Sequence, residues 1–340
     1  MIPDPNKSNN DPFIKIITSI AGELEQVNQT IVASAKGKAD LIAEITNHLV
    51  LSGGKRVRPI LTILAAKLCG YADGKRHCNL AAAVELIHTA TLLHDDVVDG
   101  SNLRRGKKTA NAIWDNKASI LVGDYLLSVA FQIMVGDGSL EVLDILSKAS
   151  GIIADGEVMQ LMNSNDITIS EAKYLEIISC KTAILFSAAL QIGAVITSSE
   201  ASKQKSLADF GNNLGIAFQI IDDVLDYAAD EKTLGKKIGN DFYEGKITLP
   251  IILTYKQAND ADKSRIKEIF ANNLISGEEK NDQFFLETML LIKKYRGLED
   301  SVNKALSYRD LAIKNLEAFP SNSEKLMLLS ILEYAVSRKN

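Results

Sequence analysis

LLHDDVVDGSNLRRG, Leu92 to Gly106, is the stretch on which the reading of the chain turns. Three aspartates, Asp95, Asp96 and Asp99, interrupt an otherwise apolar run. Residues four apart share a helix face, so a helix here points Asp95 and Asp99 the same way. Two arginines, Arg104 and Arg105, follow closely. Carboxylates pushed out of an apolar helix, with guanidinium groups behind them, suit a multiply charged anion held partly through a hard cation. A diphosphate bridged by Mg²⁺ is the obvious case. A solvated acidic helix end would leave the same local pattern, so the stretch needs a second observation.

FQIIDDVLDY, Phe218 to Tyr227, supplies it: Asp222, Asp223 and Asp226 repeat the spacing of the first triad. Lysine-rich loops containing glycine follow both triads, which puts each near the C-terminal end of its helix. The helix dipole disfavours carboxylates there, so six aspartates cost stability unless cations occupy the site. Oxygen ligands without histidine or cysteine select Mg²⁺ over zinc. Positive groups occur in four places: Lys55, Arg56 and Arg58 in GGKRVRP; Arg104 and Arg105; Lys181; and Lys236, Lys237 and Lys246. Taken singly, each reads as a solvated surface charge. Gly53, Gly54, Gly235 and Gly245 beside them let backbone and side chain approach a phosphate closely. His88 precedes Asp95 by two helical turns and shares its face, which points it to a phosphate contact. His94 falls on another face and reads as structural.

Working outward, the chain has only six prolines and none between Pro59 and Pro250. That span is filled with Ala, Leu, Ile, Glu and Lys at helical spacing. Helices are expected over about 12–35, 40–51, 59–68, 78–99, 110–135, 139–162, 170–197, 202–229 and 249–257, with four shorter ones beyond. Gly100 to Lys108 reads as a basic loop, and LGKKIGNDFYEGKITLP as a loop rich in glycine and lysine. No composition shift or tandem repeat marks a boundary. The expectation is one large all-α domain over residues 12–340, after a disordered tail over residues 1–11.

A net charge of −5 and the lack of any basic stripe argue against nucleic acid. Cys69, Cys78 and Cys180 lack metal-ligand spacing and read as core thiols of a reducing compartment. The polar, proline-containing start is neither signal peptide nor anchor. No stretch reaches the roughly 18 apolar residues of a membrane span, so a cytoplasmic protein is expected.

GGKRVRP, HDDVVDGSNLRRG, the KTA at Lys181, FQIIDDVLD and LGKKIGNDFYEGKITLP together resemble the trans-isoprenyl diphosphate synthases, the polyprenyl synthetase family. The resemblance runs from about residue 13 to the C-terminus. With GEVMQLMN at 156–163, it is nearest to the family's bacterial octaprenyl members. It implies the isoprenoid synthase type of fold, an antiparallel helical bundle around a central apolar cavity. It also implies an allylic diphosphate, such as farnesyl diphosphate, lying between the aspartate triads. Asp95, Asp96, Asp99, Asp222, Asp223 and Asp226 would bind the metal, about three Mg²⁺ ions. Arg104, Lys181, Lys236 and Lys246 would hold the diphosphate. Isopentenyl diphosphate would bind without metal through Lys55, Arg58, His88 and Arg105. In the family the positions of Thr182 and Gln219 lie beside the allylic cation and its diphosphate, so these two join Lys181 as catalytic candidates. The family is usually homodimeric.

The resemblance also bears on product length. Below Asp95 lie Thr91 and Ala90, then Ile87. Short-chain members close the pocket with a large aromatic near Ala90 or Thr91; both are small here. From Asp95 to Ala81 the helix spans roughly 20 Å at about 1.5 Å per residue, room for a product near C40. Phe131 on a neighbouring helix is a candidate floor, or ordinary core filling. A quinone side chain is the natural destination. A terpene cyclase would lack GGKRVRP, and a silent regulatory subunit would lose aspartates from a triad. An inert helical bundle would leave six clustered aspartates unexplained.

Overall fold

Proline-free runs of alanine, leucine and isoleucine lose little rotamer freedom in a helix, and they adopt it almost throughout this chain. The computed structural model describes residues 12–51, 54–104, 106–228, 239–272 and 278–338. In chain order its helices are α1 (Pro12–Ser19), α2 (Ala21–Ser34), α3 (Asp40–Leu51), α4 (Val57–Leu68), α5 (Arg76–Val98), α6 (Ala110–Ile113), α7 (Asn116–Asp137), α8 (Leu140–Met162) and α9 (Glu171–Ile178). A π-helical turn, Ser179–Ala183, leads into α10 (Ile184–Val195), and α11 (Ala201–Ala228) follows. Beyond these lie α12 (Asn240–Tyr243), α13 (Leu249–Gln257), α14 (Asp260–Asn272), α15 (Glu278–Lys294), α16 (Gly297–Asn315) and α17 (Ser323–Ser337).

The all-α reading holds. The only β structure among the described residues is a two-rung antiparallel hairpin, β1 (Leu103–Arg104) paired with β2 (Lys107–Lys108). It sits where the sequence suggested a plain loop. The helix expected over 12–35 is divided into α1 and α2, and the one expected over 170–197 contains the π turn. The tail expected over 1–11 lies outside the described residues. One expectation is corrected: Asn116–Asp137 and Glu171–Val195 are each long and apolar enough to cross a membrane by length and composition. Single polar residues break the continuous apolar run in each without lowering the helix average much. In the second, 61% of the apolar window is buried inside the protein.

Contacts divide the chain into two units. One comprises the residues up to Gly151, Leu185–Asn212 and Ala312–Tyr334; the other Ile152–Ile184, Asn213–Leu311 and Ala335 onward. In the first, α5 packs along α7, α4 and α2. Consecutive small residues at Ala81, Ala82 and Ala83 allow neighbours on every side, and all three are fully buried. In the second, a core built from Tyr174, Ile178, Ile220, Ile221, Phe242 and Ile252 surrounds the π turn. That turn is tightly seated. A Cβ on Gly156 would come within 2.9 Å of the Lys181 backbone nitrogen, and one on Gly215 within 2.5 Å of Ala183 Cα. Only glycine lets α8 and α11 approach so closely.

Candidate active site

In the first unit the stretch from Asp95 to Arg104 is knotted at the end of α5. Asp96 faces inward and is 1% exposed. Arg104, on β1, donates to its Oδ1 through Nε at 3.0 Å and Nη2 at 2.8 Å. Such a two-pronged charge-assisted contact fixes the guanidinium plane. Ser101 N–H donates to the Asp96 carbonyl at 2.9 Å, and Asn111 Nδ2 reaches the same oxygen at 3.2 Å. Asp95 and Asp99 are both partly exposed, as the four-residue spacing requires. His88, two turns earlier, is also partly exposed, and its carbonyl accepts from Thr91 Oγ1 at 2.8 Å. His94 makes a 3.3 Å contact with Asp124 and packs on Gly123 of α7.

The GGKRVRP turn precedes α4. Arg56 adopts a left-handed backbone, φ 50°, and its guanidinium pairs with Glu85 on α5. This pins the turn between Lys55, whose ammonium lies 4.2 Å from the centre of the Tyr334 ring, and Arg58, stacked 4.5 Å from that of Phe186. Of the pocket residues, Ile87 and Ala90 are buried in α5, while Thr91 and Phe131 of α7 are partly exposed.

In the second unit the second triad lies near the end of α11. Asp223, 3% exposed, accepts from Tyr174 OH at 2.6 Å and from Gln219 Nε2 at 2.8 Å. Burial and the neighbouring charge of Asp241 push the Asp223 carboxyl well above its ordinary range, against the pull of those two donors. Burial and the Asp223 charge raise the Tyr174 phenol likewise. Gln219 Oε1 in turn accepts from Thr182 Oγ1 at 2.9 Å. Lys181, one residue earlier in the π turn, pairs with Glu157 at 2.7 Å and donates to Gln160, both on α8. Asp226 accepts from the Asp241 backbone N–H at 3.0 Å. Asp222 pairs with Arg338 at 2.7 Å, and that guanidinium stacks 3.9 Å from the centre of the Phe218 ring. Lys246 pairs with Glu244 at 2.7 Å.

Arg105 and Lys236, expected at the diphosphates, lie outside the described residues, as does Lys237. Sequence reasoning passed over Glu85, Gln160, Tyr174, Asp241 and Arg338, which hold the expected residues in place. Gln160 carried a signal inside GEVMQ and Asp241 inside LGKKIGNDFYEGKITLP; the other three look like ordinary helix residues.

The donor chemistry fits a hard divalent cation. Among the described residues no three His, Cys, Asp or Glu side chains gather into a ready-made metal nest. The middle aspartate of each triad is buried and bonded by protein donors, leaving the outer pair partly exposed. Mg²⁺ is commonly held by one or two carboxylates, the remaining positions filled by water and substrate phosphate oxygens. Burial, more than the neighbouring Asp241 charge, raises the Asp223 carboxyl, in keeping with its place behind the two partly exposed aspartates.

Comparison with known proteins identifies the family. The family model described as polyprenyl synthetase matches residues 39–286. The octaprenyl diphosphate synthase of Escherichia coli (strain K12) is 42% identical over 325 residues, covering 95% of this chain and 98% of that protein. The crystal structure of a polyprenyl synthase from Caulobacter crescentus CB15, complexed with calcium and isoprenyl diphosphate, superposes with a TM-score of 0.91 at 42% identity. It covers 99% of this chain and all of that one, 100%. A decaprenyl diphosphate synthase from Rhodobacter capsulatus gives a TM-score of 0.88 at 41% identity, covering 97% and 100% of the two chains.

Proposed function

Because this chain belongs to the polyprenyl synthetase family, we propose that it is a long-chain trans-polyprenyl diphosphate synthase. It is a prenyltransferase that adds isopentenyl diphosphate, unit by unit, to an allylic diphosphate such as farnesyl diphosphate. The observation that carries this reading is the pair of matched aspartate triads. In each, the middle carboxylate is buried and braced, and the outer two stay partly exposed at a helix end.

The family depends on Mg²⁺. Bound Mg²⁺ neutralises the diphosphate and its developing charge. We assign that binding to Asp95, Asp99, Asp222 and Asp226, about three ions in all, with Asp96 and Asp223 supporting them from the buried side. Arg104, Lys181, Lys246 and Lys236 attract the allylic diphosphate. As the C–O bond breaks, the electron pair leaves with the diphosphate, and cations already in place stabilise it without reorganising. Lys181 and Arg104 are held by carboxylates, and a preoriented cation needs little further ordering when substrate arrives. Lys55, Arg58, His88 and Arg105 take isopentenyl diphosphate. Its double bond attacks the allylic carbon, and a proton then leaves C2 of the added unit. The departing diphosphate is the base within reach. Thr182 and Gln219 turn oxygen atoms toward the cation.

Ala90, Thr91 and Ile87 leave a route for the growing tail, with Phe131 as its floor and a product near C40, octaprenyl diphosphate, for a quinone side chain. Residues 12–340 act as one polyprenyl synthetase domain, and the family match at 39–286 runs through both structural units. The active form is a homodimer. In support, α7, apolar on average, exposes Ile120, Leu121 and Val135. The protein works in the cytoplasm, in keeping with three free cysteines.

The test is incubation with farnesyl and isopentenyl diphosphates and Mg²⁺, with product length read by chromatography. The native enzyme gives a ladder ending near C40. Asp95→Ala and Asp222→Ala each abolish turnover and keep the helical circular dichroism of the native chain. Full activity in either variant would remove the two-triad mechanism.

A further inference from the structure

Four side chains in the second unit form one hydrogen-bond chain, and with Asp223 ionised its direction is fixed. Asp223, acting as a carboxylate, only accepts. Tyr174 OH donates to Oδ2 at 2.6 Å, and Gln219 must turn its NH₂ toward Oδ1 at 2.8 Å. With its amide so turned, Gln219 leaves Oε1 on the other side. That oxygen, 2.9 Å from Thr182 Oγ1, can only accept, so the threonine spends its single proton inward. The Thr182 oxygen then has only lone pairs to offer any other neighbour. Tyr174 comes from α9, 49 residues before Asp223, and is 3% exposed. Among the described residues, its hydroxyl bonds to this carboxylate.

We infer that Tyr174 is a positioning residue for prenyl transfer: it fixes Asp223 as a pure acceptor, and through Gln219 it sets which way the Thr182 hydroxyl points. This rests on the proposal that Thr182 and Gln219 line the allylic cation. A cation beside them meets two oxygens with their hydrogens turned away, a fixed negative potential that needs no reorientation during reaction. Without the phenol hydroxyl, a buried carboxylate oxygen lacks its donor. Gln219 is then drawn to either oxygen, its amide is no longer held one way, and the Thr182 proton is free to rotate toward the site.

The experiment is a kinetic double-mutant cycle on the full chain, using Tyr174→Phe, Gln219→Leu and the double variant, with farnesyl and isopentenyl diphosphates and Mg²⁺. Tyr174→Phe is expected to lower kcat by about tenfold or more, the scale of one buried charge-assisted hydrogen bond, with both KM values little changed. The double variant is expected to be no slower than Gln219→Leu alone, because both residues act through one chain of bonds. A purely structural tyrosine would lower the melting temperature and multiply its effect onto Gln219→Leu. Multiplying effects, or a native kcat in Tyr174→Phe, overturn the inference while leaving the functional reading standing. Should Tyr174→Phe not fold, Gln219→Glu tests the same direction, since a carboxylate cannot donate to Asp223. Loss of kcat supports the chain, and native kcat overturns it. A native enzyme that makes no polyprenyl product overturns the functional reading and this inference with it.

Discussion

Replacing Glu85 by glutamine tests whether the substrate-binding turn is held by an ion pair that the motif itself does not contain. The Arg56 and Glu85 side chains are 18% and 9% exposed, so the pair is nearly dry. Removing one partner of a fully buried pair costs about 3–5 kcal/mol; some water reaches Arg56, and an amide still accepts one hydrogen bond, so about 2 kcal/mol is expected. Arg56 also sits at φ 50°, a left-handed conformation that costs a residue with a Cβ about 1–2 kcal/mol. The ion pair offsets that cost, and without it the turn relaxes toward ordinary backbone angles. Lys55 and Arg58 flank Arg56 and move with it. If the competent arrangement falls to about a tenth of the population, the apparent KM for isopentenyl diphosphate rises about tenfold, equivalent to about 1.4 kcal/mol. Unfolding entropy for a chain of 340 residues is about 0.7 kcal/mol per degree, so the melting temperature falls by about 3 °C. Initial rates are measured with each diphosphate varied at saturation of the other, alongside melting by circular dichroism. The farnesyl KM should stay near native. Both KM values rising together, or neither moving while the melting point drops, would refute the reasoning.

Gly215→Ala should lower the melting temperature and kcat together, because its Cβ would sit 2.5 Å from Ala183 Cα beside Thr182. Overpacking of about 1–3 kcal/mol exceeds the helix-propensity gain of about 1 kcal/mol, and a raised melting point would contradict this. Ala90→Phe should shorten the product and Phe131→Ala lengthen it, both read by chromatography of the dephosphorylated chains; unchanged lengths would mean that the tail takes another route. Burial holds the His77 imidazole below its usual value of 6.5, partly opposed by the Glu23 carboxylate. Its contribution is therefore complete above pH about 6.5 and is lost as pH falls below that, since the unfolded chain takes up a proton that the folded one declines. His77→Gln should flatten the drop in melting temperature between pH 7.5 and 5.5; an equal drop in both would assign the effect to other groups.

The helices, the two aspartate triads and the order of the basic motifs were legible without coordinates. Local spacing carries each of them. Alanine, leucine and isoleucine at helical intervals specify helix wherever proline is absent, and the four-residue spacing of Asp95 with Asp99, and of Asp222 with Asp226, puts each pair on one face. The hairpin at Leu103–Lys108 and the π turn at Ser179–Ala183 were not legible. The first depends on how Arg104 reaches back to Asp96. The second depends on Gly156 and Gly215 admitting a wider turn against α8 and α11.

What the tertiary structure alone decided is which carboxylate of each triad is buried. In the sequence the spacing sets Asp96 apart from Asp95 and Asp99, and Asp223 apart from Asp222 and Asp226, without telling which face turns inward. Folding buries Asp96 against Arg104 and Asp223 against Tyr174 and Gln219, and leaves their neighbours partly exposed. A buried carboxylate must find donors, and those donors come from other elements: Tyr174 lies 49 positions before Asp223. Glu85 is likewise 29 positions from Arg56. Periodicity tells which face a residue occupies on its own helix, but it carries no information on which side chain another helix will bring to that face.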